Sequence, residues 1–146
     1  MEWSRLRQDL ENLNFLEIKS EVLYDNPSEI QLCGFADASE KAYGACLYLR
    51  SVGHDSSATV NLALCAKTKV AAIKSLTIPK LELCAALLLA RLGHKVFKSI
   101  GLDFKKVIFW SDSSITLAWL KTNPNLLKVF ESNRVAEIQT LTENFK

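Results

Sequence analysis

The stretch Ile30-Gln31-Leu32-Cys33-Gly34-Phe35-Ala36-Asp37 alternates along its length and ends on a carboxylate. Alternation over this length predicts a β-strand. An acid closing such a strand is costly beside apolar surface unless something pairs with it. Two further carboxylates stand in comparable settings. Glu82 is the only charge in the run Leu81-Glu82-Leu83-Cys84-Ala85-Ala86-Leu87-Leu88-Leu89-Ala90. Asp112 closes the run Val107-Ile108-Phe109-Trp110-Ser111-Asp112. Three acids brought together repel, and divalent cations are the usual remedy.

The elements around the first strand fix its place. Ala38 to Ala42 is a short polar turn, and Tyr43 to Arg50 alternates again, so the two strands form an antiparallel hairpin. After Gly53-His54-Asp55-Ser56-Ser57, Val60 to Ala66 is a third strand with Val60, Leu62, Leu64 and Ala66 on one face. Thr77-Ile78-Pro79 opens a helix, with Thr77 as cap and proline in the first turn. It runs to about Ile100, and Gly101 stops it. Its apolar residues nearly encircle it up to Leu92, which predicts burial on more than one side. Val107 to Trp110 reads as a strand covered on both faces. Strand, long helix, strand implies a parallel crossover. Ser113 to Lys121 is a second helix, ending near Asn123-Pro124-Asn125, and Leu126 to about Leu141 is a third. Ahead of all this, residues 2–16 carry Trp3, Leu6, Leu10 and Leu13 at the spacing of an amphipathic helix, and a connector follows to residue 29.

The chain therefore reads as α/β: a three-strand antiparallel meander plus one parallel strand, with flanking helices. Residues 30–146 form the domain. Open sheets of this kind bind ligands at the carboxyl ends of their parallel strands. With the first strand beside the fourth, Asp37 and Asp112 meet, and the crossover helix brings Glu82 over them from its first turn. Each acid also has a plainer use. Asp112 can cap the helix at Ser113, Glu82 can suit the positive end of its helix, and Asp37 can belong to a turn with Ala38-Ser39.

Composition narrows the classes. The chain has 146 residues, 49% hydrophobic and 23% charged, enough for one domain with a real core. The longest apolar run ends at Arg91, well short of the ~20 residues of a membrane helix. No secretory leader is read in Glu2-Trp3-Ser4-Arg5-Leu6. Cys33, Cys46, Cys65 and Cys84 form no C-x-x-C pair, which disfavours zinc and predicts reduced thiols in an intracellular protein. Between Ser56 and Leu81 stand Lys67, Lys69, Lys74 and Lys80 and no acid. That is either a phosphate-tracking stripe or a solvated strand edge.

The order strand-Asp, two antiparallel strands, helix-Glu, strand-Asp resembles the ribonuclease H superfamily. Local sequences narrow the likeness. Cys33-Gly34-Phe35-Ala36-Asp37-Ala38-Ser39-Glu40-Lys41-Ala42-Tyr43-Gly44-Ala45, Thr77-Ile78-Pro79-Lys80-Leu81-Glu82-Leu83-Cys84-Ala85-Ala86, Trp110-Ser111-Asp112-Ser113 and Asn133-Arg134-Val135-Ala136-Glu137-Ile138 resemble the ribonuclease H region of Pao/BEL long-terminal-repeat retrotransposon polyproteins. The likeness covers about residues 30–140. The first 29 residues resemble the connector after the reverse transcriptase region of such polyproteins.

The resemblance implies a ribonuclease H-like fold and hydrolysis of the RNA strand of RNA–DNA hybrids. It implies two Mg²⁺ ions about 4 Å apart, with Mn²⁺ as a substitute. By the same likeness, Asp37 bridges both ions, while Glu82 and Asp112 hold one each. Ser39, Lys41, Asn133 and Arg134 are the candidates for backbone contacts with nucleic acid. The superfamily places a fourth carboxylate after the last helix, in Pao/BEL elements within an Asn-Pro-Ala-Asp-like stretch. The sequence reaches Lys146 before any such motif, and Glu131, Glu137 and Glu143 read as solvent-exposed helix residues. Weak or absent nuclease activity is therefore an expectation. The alternative is a catalytically inactive relic, or a domesticated nucleic-acid-binding domain. A phosphohydrolase with Asp37 as nucleophile fits poorly, because Ser39 stands where such enzymes want a second acid.

Overall fold

The computed structural model describes residues 28–53, 59–71 and 76–145. The expected helix at 2–16, most of the connector and Lys74 lie outside the described residues. Three strands follow one another: β1 (Glu29–Ala38), β2 (Ala42–Val52) and β3 (Thr59–Val70). The long helix α1 (Ile78–Ser99) leads to β4 (Lys106–Trp110). Then come α2 (Ser114–Lys121), a 3₁₀ turn at Pro124–Leu126, and α3 (Val129–Thr142). The sheet order is β3-β2-β1-β4, antiparallel except for the parallel pair β1–β4. β1 thus sits between the meander and the crossover, as the sequence implies.

The register fixes the faces. Leu32, Gly34 and Ala36 of β1 stand opposite Leu49, Leu47 and Ala45 of β2. They build the main core with Ala85, Leu88, Leu89 and Phe104. A second core joins Leu83, Ala86, Leu87 and Ala90 to Val135 and Ile138 of α3. Helix α1 is apolar nearly all round because it lies between these two cores. Each fully buried leucine, such as Leu32, Leu47 or Leu83, contributes about 1.5–3 kcal/mol.

Three local differences from the sequence reading have physical causes. The β2–β3 pairing slips between Leu47 and Tyr48, which leaves Leu64 as the extra residue of a bulge. Leu64 and Cys65 consequently both pack on the core, and Ala66 turns to the opposite face from Cys65. The last helix begins at Val129 rather than Leu126, because Asn123 accepts a hydrogen bond from the Asn125 amide (3.1 Å) and starts a 3₁₀ turn on Pro124. The first helix begins at Ile78 without a side-chain cap from Thr77, so Glu82 is its fifth residue and its first turn holds no acid. The stop at Gly101 is as expected: its φ of 64° is the left-handed region that glycine tolerates.

Phe109 of β4 decides how closely α1 lies on the sheet. A Cβ on Gly93 would stand 2.3 Å from its Cζ, and one on Gly34 would stand 2.8 Å from its Cδ1. Helix α3 is tied to α1 by Arg91, whose Nε and Nη2 donate to Glu137 at 2.6 and 2.9 Å.

Gly93→Ala gains up to about 1 kcal/mol of helix propensity. A net loss of about 1–3 kcal/mol is nevertheless expected, since Phe109 must move out of a packed core. Urea midpoints measure it. Hydrogen bonding from Arg91 holds the Glu137 carboxyl below its ordinary range. Its stabilisation is present above the unfolded carboxylate value, about 4.3, and is lost as pH falls through the lower folded value. Both side chains are well exposed, so solvent screening limits the effect to a few tenths of a kcal/mol. Glu137→Gln should flatten the acid limb of stability by about that much in thermal melts.

Candidate active site

Asp37 and Asp112 are brought together by strand register. Phe35 pairs with Trp110 across the parallel β1–β4 ladder, and each acid follows two residues later. Adjacent strands lie about 4.8 Å apart, so the two acids leave neighbouring strands at one level. Both are exposed, and they line a common cleft of about 370 Å³ with Phe35, Ala36, Trp110 and Ser111. The Phe35 and Trp110 rings stack at 4.9 Å and 11° beside them. That stack is a feature the sequence reading missed. It follows from the register of the crossover, which no single segment reveals.

The plainer uses of these two acids are taken by serines. Ser113 caps α2, its Oγ accepting from the Thr116 amide at 3.2 Å, while the Ser113 amide donates to Ser111 Oγ at 3.3 Å. Asp112 stands between them with no hydrogen bond or ion pair among the described residues. The turn after β1 is closed by Ser39, whose amide donates to the Ala42 carbonyl at 2.8 Å and whose Oγ takes part in the same turn. Among the described residues, Asp37 accepts only from the adjacent Ala38 amide, at 2.7 Å.

Glu82 is half-buried and does not line that cleft. Its direction follows from helix geometry. Gly93 lies eleven residues on, three turns later within about 20° of the same line. Since Gly93 faces Phe109, Glu82 is on the flank of α1 turned toward β4. The N-terminus of α1 is also at the sheet end that carries Asp37, because β3 runs parallel to β1 and delivers the chain there. Among the described residues, no three His, Cys, Asp or Glu side chains form a group that could hold a metal ion. Two carboxylates with no cation paired to them among the described residues suit a hard divalent ion by their donor chemistry. The third carboxylate, Glu82, lies on the helix and outside this cleft.

The other candidates divide. Ser39 lines a second open groove, about 390 Å³, on the far side of Asp37 with Tyr43, Gly44, Cys46 and Thr68. Lys41 is exposed at the hairpin tip, its carbonyl accepting from the Ala71 amide at 2.8 Å. Asn133 is exposed on α3. Arg134 stacks over Phe130 at 3.5 Å and donates to the Phe130 carbonyl at 3.0 Å. Lys80 lies over the same ring at 5.0 Å and 3.8 Å from Glu131. Glu131 is only 5% exposed, so its reading as a solvated helix residue is corrected. The lysine stripe splits accordingly: Lys67 and Lys69 are exposed on β3, and Lys80 joins the α1–α3 contact.

The family model for the Pao retrotransposon-like RNaseH-like domain matches residues 1–113. The chain belongs to this family. Among solved structures, the N-terminal RNase H domain of rv2228c from Mycobacterium tuberculosis is similar at 15% identity. The alignment covers 80% of this chain and 77% of that one, with a TM-score of 0.53. RNase H1 from Halobacterium salinarum NRC-1 aligns over 82% and 80% at 11% identity, with a TM-score of 0.42. No curated protein matches the chain. The domain has the ribonuclease H-like fold, and no helix among the described residues is long and apolar enough to cross a membrane.

The division of labour around Asp112 is measurable. Ser113→Ala should cost about 1 kcal/mol through loss of the cap, whereas Asp112→Asn should stay within about 0.5 kcal/mol. Denaturant midpoints that reverse this order would make Asp112 the cap.

Proposed function

We propose that this domain is a metal-dependent ribonuclease acting on the RNA strand of RNA–DNA hybrids, with Asp37, Glu82 and Asp112 as its carboxylates. The observation that carries this reading is the pair Asp37 and Asp112, each two residues past the Phe35–Trp110 pair of the parallel ladder, in one open cleft, with no cation paired to them among the described residues. Asp37, on the central strand, is suited to touch two ions, with Glu82 holding one and Asp112 the other. Bound Mg²⁺ or Mn²⁺ would activate a water and stabilise the leaving oxygen. The chain's own part is to hold negative charge at fixed positions and to orient the nucleic acid. Ser39 and Lys41, at the hairpin tip beside Asp37, and Asn133 and Arg134 on α3, are the proposed backbone contacts. Contacts to backbone and 2′-hydroxyls select an RNA strand without reading base sequence. An intracellular setting, next to a reverse transcriptase region of a parent polyprotein, is part of the same proposal.

A second reading is favoured by one observation: Glu82 does not line the cleft of the other two acids. On that reading the domain binds hybrids without cutting them.

A labelled hybrid separates the two. Cleavage that requires Mg²⁺ or Mn²⁺, and that falls at least about 10–100-fold in Asp37→Asn and Asp112→Asn, supports the nuclease. Binding without cleavage in either metal supports the second reading. Metal should also raise the melting temperature, by mass action worth about 2.7 kcal/mol at a hundredfold excess over Kd. An unchanged response in Asp37→Asn would place the ions elsewhere. Mn²⁺ should act at lower concentration than Mg²⁺, since it binds such sites more tightly.

A further inference from the structure

Every described helix lies on one side of the sheet. Helix α1 packs on β1 and β2, and α2 and α3 pack on α1. Phe109 points to that side, against Gly93 of α1. Its neighbours in the pleat, Ile108 and Trp110, therefore belong to the outer face, with Lys106 two residues before Ile108. Phe35 stands opposite Trp110 on the same face. The two rings are 45% and 43% exposed.

Their stacking has a direction. The ring centroids are 4.9 Å apart, with 11° between the planes. That separation matches the spacing of neighbouring strands, about 4.8 Å. The stack thus runs across the strands toward the edge of the sheet. Tyr48 closes its inner end, meeting Phe35 edge-on at 6.0 Å. The outer end is the far face of Trp110. β4 is the outermost strand of the described sheet on that side. Among the described residues, no second aromatic ring stacks on Trp110.

A flat ring face at the end of an ordered stack accepts another flat ring, and three observations select a nucleobase. The first is position. Phe35 and Trp110 line the same cleft as Asp37 and Asp112. Two residues separate each ring from its acid, at most about 7 Å of chain. This is the scale of one nucleotide, so a phosphate held at the acids leaves its base beside Trp110. The second is charge. Lys106 is exposed on the outer face of the same edge strand, four residues before Trp110 and about 13 Å from it. A backbone running along β4 meets this cation on one side of the ring and the acids with their ions on the other. The third is rigidity. Phe35 and Tyr48 fix the plane of Trp110 in advance, as a stacking platform requires. A paired base is already stacked within its duplex, so the platform suits an unpaired one.

We infer that Trp110, backed by Phe35 and Tyr48, stacks on an unpaired nucleobase beside the carboxylates, so that the domain favours hybrids with a single-stranded end over blunt ones. The inference rests on the reading of the cleft as the place where a hybrid lies.

The test compares a short labelled RNA–DNA hybrid, blunt, with the same hybrid carrying one unpaired nucleotide at each of its ends in turn. Affinity is read by anisotropy in EDTA, where a metal-dependent nuclease does not cut, and cleavage is read in Mg²⁺. At least one overhanging hybrid should bind about fivefold or more tighter than the blunt one. Trp110→Ala should remove that advantage, and Trp110→Tyr, which keeps a ring, should retain most of it. If Trp110→Ala does not fold, Trp3→Phe with Trp119→Phe leaves Trp110 as the only tryptophan. The overhanging hybrid should then quench its emission more than the blunt one does. Equal affinity for all hybrids, an advantage that survives Trp110→Ala, or equal quenching overturns the inference. Emission that changes with protein concentration alone assigns the ring to a second copy and overturns it equally. Cleavage in Mg²⁺ without any preference for overhangs overturns this inference and leaves the nuclease standing. Overhang-selective binding without cleavage supports the inference and removes the nuclease.

Discussion

The ring of Phe109 occupies the space that Gly34 and Gly93 leave empty, and much of the structure depends on that contact. Side chains at either glycine would collide with it. Phe109 therefore locks β4 to β1 on one side and to α1 on the other. It stands three residues before Asp112, and Gly34 stands three residues before Asp37. The same packing that closes the core thus sets the level of both carboxylates. It also fixes the rotation of α1, and with it the flank on which Glu82 lies. Side chains mounted on strand ends and on a helix keep fixed positions only where the elements are packed tightly, and a ring between three elements supplies that packing.

Charge is distributed around this frame in two ways. Glu29 is met by Lys105 at 3.4 Å, Glu131 by Lys80 and Glu137 by Arg91. Those pairs hold elements to one another. Phe130 adds to the second of them by carrying Lys80 and Arg134 on its ring, so the start of α3 is held at the start of α1. At the cleft the pattern stops. Asp37 and Asp112 have serines and backbone amides around them and, among the described residues, no basic side chain paired with them. Local capping needs are met by Ser39 and Ser113, which frees the two acids from structural duty. Among the described residues the acids thus divide into pairs that hold elements together and the two at the cleft, which do not.

Much of this was legible in the sequence because it rests on local periodicity. Alternation in residues 30–37 and 43–50, the all-round apolar helix and the short run before Asp112 each point to one element, and their order leaves few topologies. The ribonuclease H-like likeness rests on the same stretches, and the family match agrees with it. What the sequence hid depends on pairing between distant segments. The bulge at Leu64 is a slip against β2, which no reading of β3 alone reveals. The Phe35–Trp110 stack needs the parallel register. Glu131 looks solvated on its own helix, and only the approach of α1 buries it. Glu82 was read into the first turn, but a helix that starts at Ile78 places it fifth, just past that turn.

The bare half of the outer sheet face bears on the acids as well as on stability. A sheet face on which no described helix packs contributes less of the burial that offsets chain entropy. Gln31 and Cys33 are buried on this face all the same, but Phe35 and Trp110 are exposed next to the cleft. These two rings sit two residues before Asp37 and Asp112. Anything that packs on them must therefore press on the ends that carry the carboxylates, while anything confined to Gln31 and Cys33 can stabilise the sheet without reaching them. The change of burial between Cys33 and Phe35 thus separates a part of the face concerned with folding from a part adjoining the acids. The division falls at Phe35, where the strand returns to alternation.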